Sequence, residues 1–331
     1  MQKFKNTFTV IPVLLILFMF TVNSNATIYD INIPLSGTQE VPPNASPGTG
    51  TLTGTYNDVT NTLVFSVVFS GLTGTTTAAH FHGPAAVGVN AGVRIGYTGF
   101  PVGITSGVYS NNFVLTASNE TELLGNLWYA NIHSSTFPGG ELRGQVYAKP
   151  ISYLDLTYFI EGFYNEGADT QVSDTIKVQL RNSTPPYALA YQNSGVVSSG
   201  GTLLLQYINI SSGVYYIAVT HRNSIETWSS SGISIVSGDT ETYNFSSGST
   251  QAYGSNLIQV DAAPVRYAAY SADVNQDGTI DLTDGGLIDN DAFNFAGGYI
   301  PTDVNGDNLV DVADAVFADN NGFNFIGKIT P

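Results

Sequence analysis

Near its C-terminus the chain repeats a run of acids at a spacing of 30 residues. DVNQDGTIDLTD begins at Asp273 and DVNGDNLVDVAD at Asp303, and the likeness continues through Phe293-Asn294-Phe295 and Phe323-Asn324-Phe325 to Gly297 and Gly327. In each run carboxylates fall at positions 1, 5, 9 and 12, with asparagine at position 3. Four carboxylates within twelve residues repel one another unless a hard cation sits among them. An acidic tail that is merely solvated has no reason to reproduce ligand spacing twice. The first copy offers Asp273, Asn275, Asp277, Asp281 and Asp284, with the backbone carbonyl of Thr279. The second offers Asp303, Asn305, Asp307, Asp311 and Asp314, with the carbonyl of Leu309. The sharp turn at position 6 needs a left-handed backbone, which Gly278 supplies freely and Asn308 tolerates.

This spacing is that of an EF-hand loop, and the donors are all oxygen, so two Ca²⁺ sites are expected. Position 12 is Asp rather than the longer Glu of sensor loops, which favours constitutive structural binding over a switch. The pair, over residues 267–331, resembles a type I dockerin: two calcium loops, each followed by a short helix, here expected at Thr283–Ala292 and Ala313–Asn321. The resemblance implies a cohesin-like partner and a cellulosome-type component. The small hydroxylated residues that commonly precede the last ligand in dockerins are replaced by Leu282-Thr283 and Val312-Ala313, which leaves a calcium-stiffened stalk or anchor as the rival reading.

Charge and composition narrow the remaining classes. The net charge is −16, and residues 273–331 hold eleven of the 26 acids with Lys328 as their one base. That balance argues against nucleic acid, whose phosphates need Lys and Arg. With no cysteine there are no disulfides and no thiolate metal sites. At the other end Lys3 and Lys5 precede ten apolar residues, Ile11 to Phe20, and Ser24-Asn25-Ala26 offers a cleavage site. Ten apolar residues are too few to span a bilayer, so residues 1–26 read as a signal peptide of a secreted or cell-surface protein without a transmembrane segment.

Residues 27–149 show strand periodicity: Leu63, Phe65, Val67 and Phe69 alternate with polar residues, no helical period is evident, and an antiparallel β-sandwich or barrel follows. His80 and His82 lie two apart and therefore share a strand face; with His133 they could form a three-nitrogen site for Zn or Cu. In the plainer alternative these imidazoles hydrogen-bond neighbouring loops, with Glu141 and Arg143 as partners. Gln39 to Pro43 (QEVPP), AAHFHGPA around the first two histidines and NIHSSTFPGGELRGQ around the third resemble a CHRD domain, the module first named from chordin. The resemblance implies an extracellular β domain. A metal-dependent redox enzyme on the three histidines is the catalytic alternative, although copper–zinc superoxide dismutase chemistry needs more imidazoles. No nucleophile elbow, Ser/His/Asp grouping or nucleotide loop is evident.

Residues 150–266 carry further alternating runs, at Leu154 to Ile160, Ile176 to Leu180 and Tyr215 to Val219, and read as an immunoglobulin-like sandwich. The segment His221 to Trp228 (HRNSIETW) is either a contact patch or a core tryptophan with an Arg222–Glu226 ion pair. With IEGFYN and LRNS it resembles linker sandwiches that precede dockerin-like tails. The whole therefore reads as mainly β with a small α calcium module, and as a non-catalytic binding or adhesion protein for an extracellular protein or polysaccharide.

Overall fold

Eight antiparallel strands build the N-terminal unit: β1 (Ile28–Ser36), β2 (Thr49–Asn57), β3 (Thr62–Ser70), β4 (Thr76–His82), β5 (Val93–Gly96), β6 (Gly107–Val114), β7 (Tyr129–Ser134) and β8 (Leu142–Gln145). Their order in the sheet is β5-β4-β7-β8-β1-β2-β3-β6. The computed structural model describes residues 26–331, so the expected export segment lies outside the described residues apart from Ala26. The sheet curls around one core. Leu63, Phe65, Val67 and Phe69 of β3 enter it, while Val64 and Val68 stand half-exposed on the other face. Phe65 packs edge-on to Phe81 at 5.0 Å, and Phe81 reaches Trp128 at 5.4 Å.

The unit also holds one short helix, α1 (Ala117–Leu124), which no 3.6-residue pattern in the sequence marks. Thr116 caps it, accepting from the Asn119 amide at 3.3 Å. Only Leu123 of α1 is buried, so the helix leaves no 3.6-residue stripe to read in the sequence.

Strand β9 (Lys149–Thr157) starts beside β1, with Lys149 opposite Asp30 and Pro150 opposite Tyr29, and then continues into a second unit. A two-residue ribbon, β10 (Tyr164–Asn165) with β11 (Thr170–Gln171), follows. The main strands after it are β12 (Asp174–Asn182), β13 (Leu189–Val197), β14 (Thr202–Ile208), β15 (Gly213–His221), β16 (Ser224–Trp228), β17 (Ile233–Ile235) and β18 (Thr240–Asn244). One sheet is β14-β9-β18, with β18 parallel to β9; the facing sheet is β13-β12-β15-β16, with β17 also on β15. Leu154, Leu156 and Tyr158 meet Ile176, Val178, Leu180, Ile217 and Val219 between them. A last hairpin, β19 (Ile258–Ala262) with β20 (Val265–Ala268), leads to the acidic tail.

The tail holds α2 (Leu282–Phe293) and α3 (Val312–Phe323), each slightly longer than its sequence pattern predicts. Each begins with a reciprocal capping box, Asp281 with Asp284 and Asp311 with Asp314, which offsets the weak helix propensity of Gly285-Gly286. Val274, Ile280 and Ile288 pack with Val304, Val310 and Ala318, and Ile225 of β16 closes that small core. Among the described residues no helix is long and apolar enough to cross a membrane.

The register of β3 is testable by a paired substitution. Phe65→Ala should cost about 3–5 kcal/mol as a cavity mutation, whereas Val64→Ala on the opposite face should stay within about 0.5 kcal/mol. Trp128 fluorescence in a Trp228→Phe background, which leaves one of the two tryptophans, follows this unit through urea unfolding; equal costs for both variants would contradict the register.

Candidate metal centres

The period of two on β4 sends Ala79 and Phe81 into the core and turns His80 and His82 to the outer face. In the ladder with β7, His80 faces Asn131, His82 faces Tyr129 and Ala78 faces His133, so all three imidazoles share that face. The β4–β7 ladder shifts register before the pair, at Thr76/Ala78, and the β4–β5 ladder shifts within it, at Phe81/His82, irregularities of the kind that re-aim strand side chains. One ring nitrogen from each histidine lies within 4.8 Å of those of the other two.

The hydrogen bonds around the rings define which nitrogens are free. His82 Nδ1 lies 3.0 Å from the carbonyl of Ala91, and His133 Nδ1 lies 2.9 Å from that of Pro138. A carbonyl can only accept, so each Nδ1 carries a proton, and in the neutral imidazole the lone pair is then on Nε2. Those two Nε2 atoms and His80 Nδ1 are buried without a hydrogen-bond partner among the described residues. Burial holds the pKa of His80 below the usual histidine range, with His133 adding to the effect. Burial also lowers His82, against the opposing hydrogen bond to Ala91.

A polar shell surrounds the cluster. Tyr129 stacks on His82 at 4.8 Å and 4° between planes, and the Arg143 guanidinium lies 3.5 Å from the Tyr129 ring centre. Arg143 donates to Asn90 Oδ1 at 2.9 Å and to the carbonyl of Val89 at 2.7 Å, holding the 84–92 loop over this face. Glu141 accepts from Ser46 Oγ at 2.6 Å and from the Thr73 amide. The expectation that Glu141 and Arg143 serve as partners of the histidines is therefore corrected.

Glu40 belongs to this face although no ligand spacing singled it out. It is 5% exposed, its Oε2 accepts from Asn131 Nδ2 at 3.4 Å, and its Oε1 has no partner. Burial pushes its carboxyl from 4.5 up to about 7, against the pull of Arg143 and Asn131. Gly140, at φ +136°, passes so close that a Cβ there would stand 2.5 Å from Glu40 Oε1.

The two acidic loops repeat each other atom by atom. Asp284 Oδ1 accepts from the amides of Val274 and Asn275 at 2.9 and 3.2 Å; Asp314 Oδ1 accepts from Val304 and Asn305 at 2.7 and 3.0 Å. Asp277 Oδ1 and Asp307 Oδ1 each accept from the amide two residues on, at Thr279 and Leu309, at 2.9 Å. Asp281 and Asp311 cap their helices at 2.7 Å. The left-handed backbone expected at Gly278 and Asn308 is present, and Gln276 and Gly306 adopt it as well. At position 1 of both loops one carboxylate oxygen, Asp273 Oδ1 or Asp303 Oδ1, is buried without a hydrogen-bond partner. Burial, then the charges of Asp284 and Asp277, push Asp273 up to about 6.

The HRNSIETW segment joins the sandwich to the second loop. Arg222 donates to Asp174 Oδ2 at 2.9 Å and to the carbonyls of Ile300 and Asp303, and Asn223 donates to the Asp303 carbonyl at 2.8 Å. Tyr299 and the buried His221 also donate to Asp174. Burial alone would raise the Asp174 carboxyl, but hydrogen bonds from His221, Tyr299 and Arg222 outweigh it and hold it far below the carboxylate range. The expected Arg222–Glu226 pair is corrected: Glu226 accepts from Trp228 Nε1 and lies 3.6 Å from Lys328. Trp228 is buried.

Residues 31–146 match the family model of the CHRD domain, which covers the curled sheet and all three clustered histidines. A search of curated proteins returned no match. Among solved structures, a chain from the crystal structure of a type II cohesin–X-dockerin complex from Acetivibrio cellulolyticus, an N-terminal interface mutant, is similar at 13% identity and a TM-score of 0.29. The likeness covers 53% of this chain and 99% of that one, and at that TM-score it carries no argument.

Glu40 predicts a pH dependence. Above pH 4.5 the unfolded chain releases this proton, whereas the folded chain keeps it until about 7, so stability falls as pH rises across that window. Glu40→Gln should flatten the slope and gain on the order of 3 kcal/mol over the parent by pH 8. Urea unfolding at pH 5 to 8 in calcium-saturated buffer checks this; an unchanged slope in Glu40→Gln would refute it.

Proposed function

We propose that the chain is an exported, non-catalytic binding or adhesion protein whose C-terminal loops hold two calcium ions and thereby keep a docking module in shape. The observation that carries this reading is the matched pair of buried, unpartnered oxygens, Asp273 Oδ1 and Asp303 Oδ1. A buried carboxylate oxygen without a donor is costly unless a cation faces it. The donors of each loop are carboxylate, amide and backbone oxygens, the set that Ca²⁺ takes six to eight at a time. Binding free energy then becomes folding free energy of the tail. Asp303 also offers its carbonyl to Arg222 and Asn223, so the second loop is coupled to the sandwich.

A binding role is favoured by what the tail leaves uncovered. Phe293, Phe295, Phe323 and Phe325 are each at least 83% exposed, Leu282 and Val312 are largely exposed too, and Leu282 lines one groove with Phe323 and Phe325. Exposed apolar groups in such number mark an interaction surface. The dockerin-like pattern makes a cohesin-type domain the partner to test first, with another extracellular protein or a polysaccharide as the other outcomes.

Calorimetric titration of the chain from Thr27 onward should count two Ca²⁺ ions, and Asp273→Ala or Asp303→Ala should remove one each. At a hundredfold excess over its dissociation constant each site adds about 2.7 kcal/mol, so the tail should unfold at lower temperature in chelator. Coincident melting curves in calcium and in chelator would overturn the reading. Pull-down with a panel of cohesin domains tests the partner separately.

A further inference from the structure

We infer that His80, His82 and His133 form a binding site for one divalent first-row transition-metal ion of the Zn²⁺ or Cu²⁺ class, independent of the calcium loops. The first ground is convergence. Three imidazole nitrogens from two neighbouring strands lie within 4.8 Å of one another, and the ring centres are 5.1 to 5.9 Å apart. The second ground is orientation. Ala91 and Pro138 accept from Nδ1 of His82 and His133, so in the neutral rings Nε2 of each is the atom left to ligate, and both are buried, as is His80 Nδ1. A backbone carbonyl behind a ligating imidazole is the usual outer-shell arrangement at metal sites. The third ground is the lack of another partner: His80 Nδ1, His82 Nε2 and His133 Nε2 are buried and have no hydrogen-bond partner among the described residues. Glu141 and Arg143, the charged groups nearest in the sequence pattern, are committed to other loops.

Donor chemistry selects the ion. Neutral imidazole suits Zn²⁺ and Cu²⁺ and is a poor ligand for Ca²⁺ and Mg²⁺, which the oxygen loops suit instead. Three protein nitrogens are the ligand count of a site that keeps a coordination position for an external ligand, unlike the four of a closed structural zinc site. One water molecule, donating to two of the nitrogens and bonding the third, is the competing occupant.

The test uses the untagged chain from Thr27 onward, stripped with chelator and returned to calcium-containing buffer so that the acidic loops are filled. Zn²⁺ and Cu²⁺ are titrated in separate arms with elemental analysis after desalting. One equivalent of metal per chain is expected, with at least a hundredfold loss of affinity in His80→Ala, His82→Ala and His133→Ala. Near-UV circular dichroism establishes that each variant is folded. In the Cu²⁺ arm, nitrogen hyperfine coupling from three imidazoles in the parent chain gives a readout that needs no variant. The arm that retains metal distinguishes zinc from copper. Less than stoichiometric retention in both arms identifies the water-filled alternative and overturns the inference. So does stoichiometric binding that survives all three substitutions.

Discussion

Strand β4 carries two chemistries on one backbone because its side chains alternate. Phe81 anchors the aromatic core through Phe65 and Trp128, and that same anchoring fixes the opposite face, where His80 and His82 stand. A slip of one residue would exchange them, placing imidazoles in the core and Phe81 in the polar shell. The histidine geometry is therefore held by packing on the far side of the sheet. The register shifts along β4 and the 84–92 loop clamped by Arg143 refine it.

The tail obeys a different constraint, like charge confined by a short chain. Each aspartate of the repeat has a place in the polar scaffold: positions 9 and 12 cap the following helix, position 5 turns the loop, and position 1 is buried. The residues that organise the loop backbone are thus the residues offered to a cation. The second loop is also gripped from outside, since Arg222 and Asn223 hold the Asp303 carbonyl and Asp174 gathers Arg222, His221 and Tyr299. Asn321 of α3 adds a second tie, donating to Glu161 and to the Ser271 carbonyl.

Much of this was legible in advance because it follows from local periods. The alternation at Leu63 to Phe69 and at Leu154 to Tyr158 predicts buried faces that are buried in the structure. The strand pair His80/His82 predicts a shared side, and the left-handed requirement singles out Gly278 and Asn308. What stayed illegible has equally definite causes. Helix α1 buries a single leucine and writes no stripe. Arg222 and Glu226 are four apart, yet Arg222 sits in the β15–β16 turn and Glu226 on the strand after it, and they end with different partners, Asp174 and Lys328. Glu40 looks like any surface acid until the fold brings Asn131, Arg143 and Gly140 around it.

Sequence alone determined the mainly β character, the two acidic loops and the inventory of candidate donors, because these depend on residue type and on spacings shorter than a turn or a strand. Tertiary structure decided which distant residues meet. His133 reaches His80 only through the pairing of β7 with β4, and Asp303 reaches Arg222 only through the docking of the tail on the sandwich. Such contacts are set by register and packing between residues 53 and 81 positions apart, for which a linear pattern carries no period.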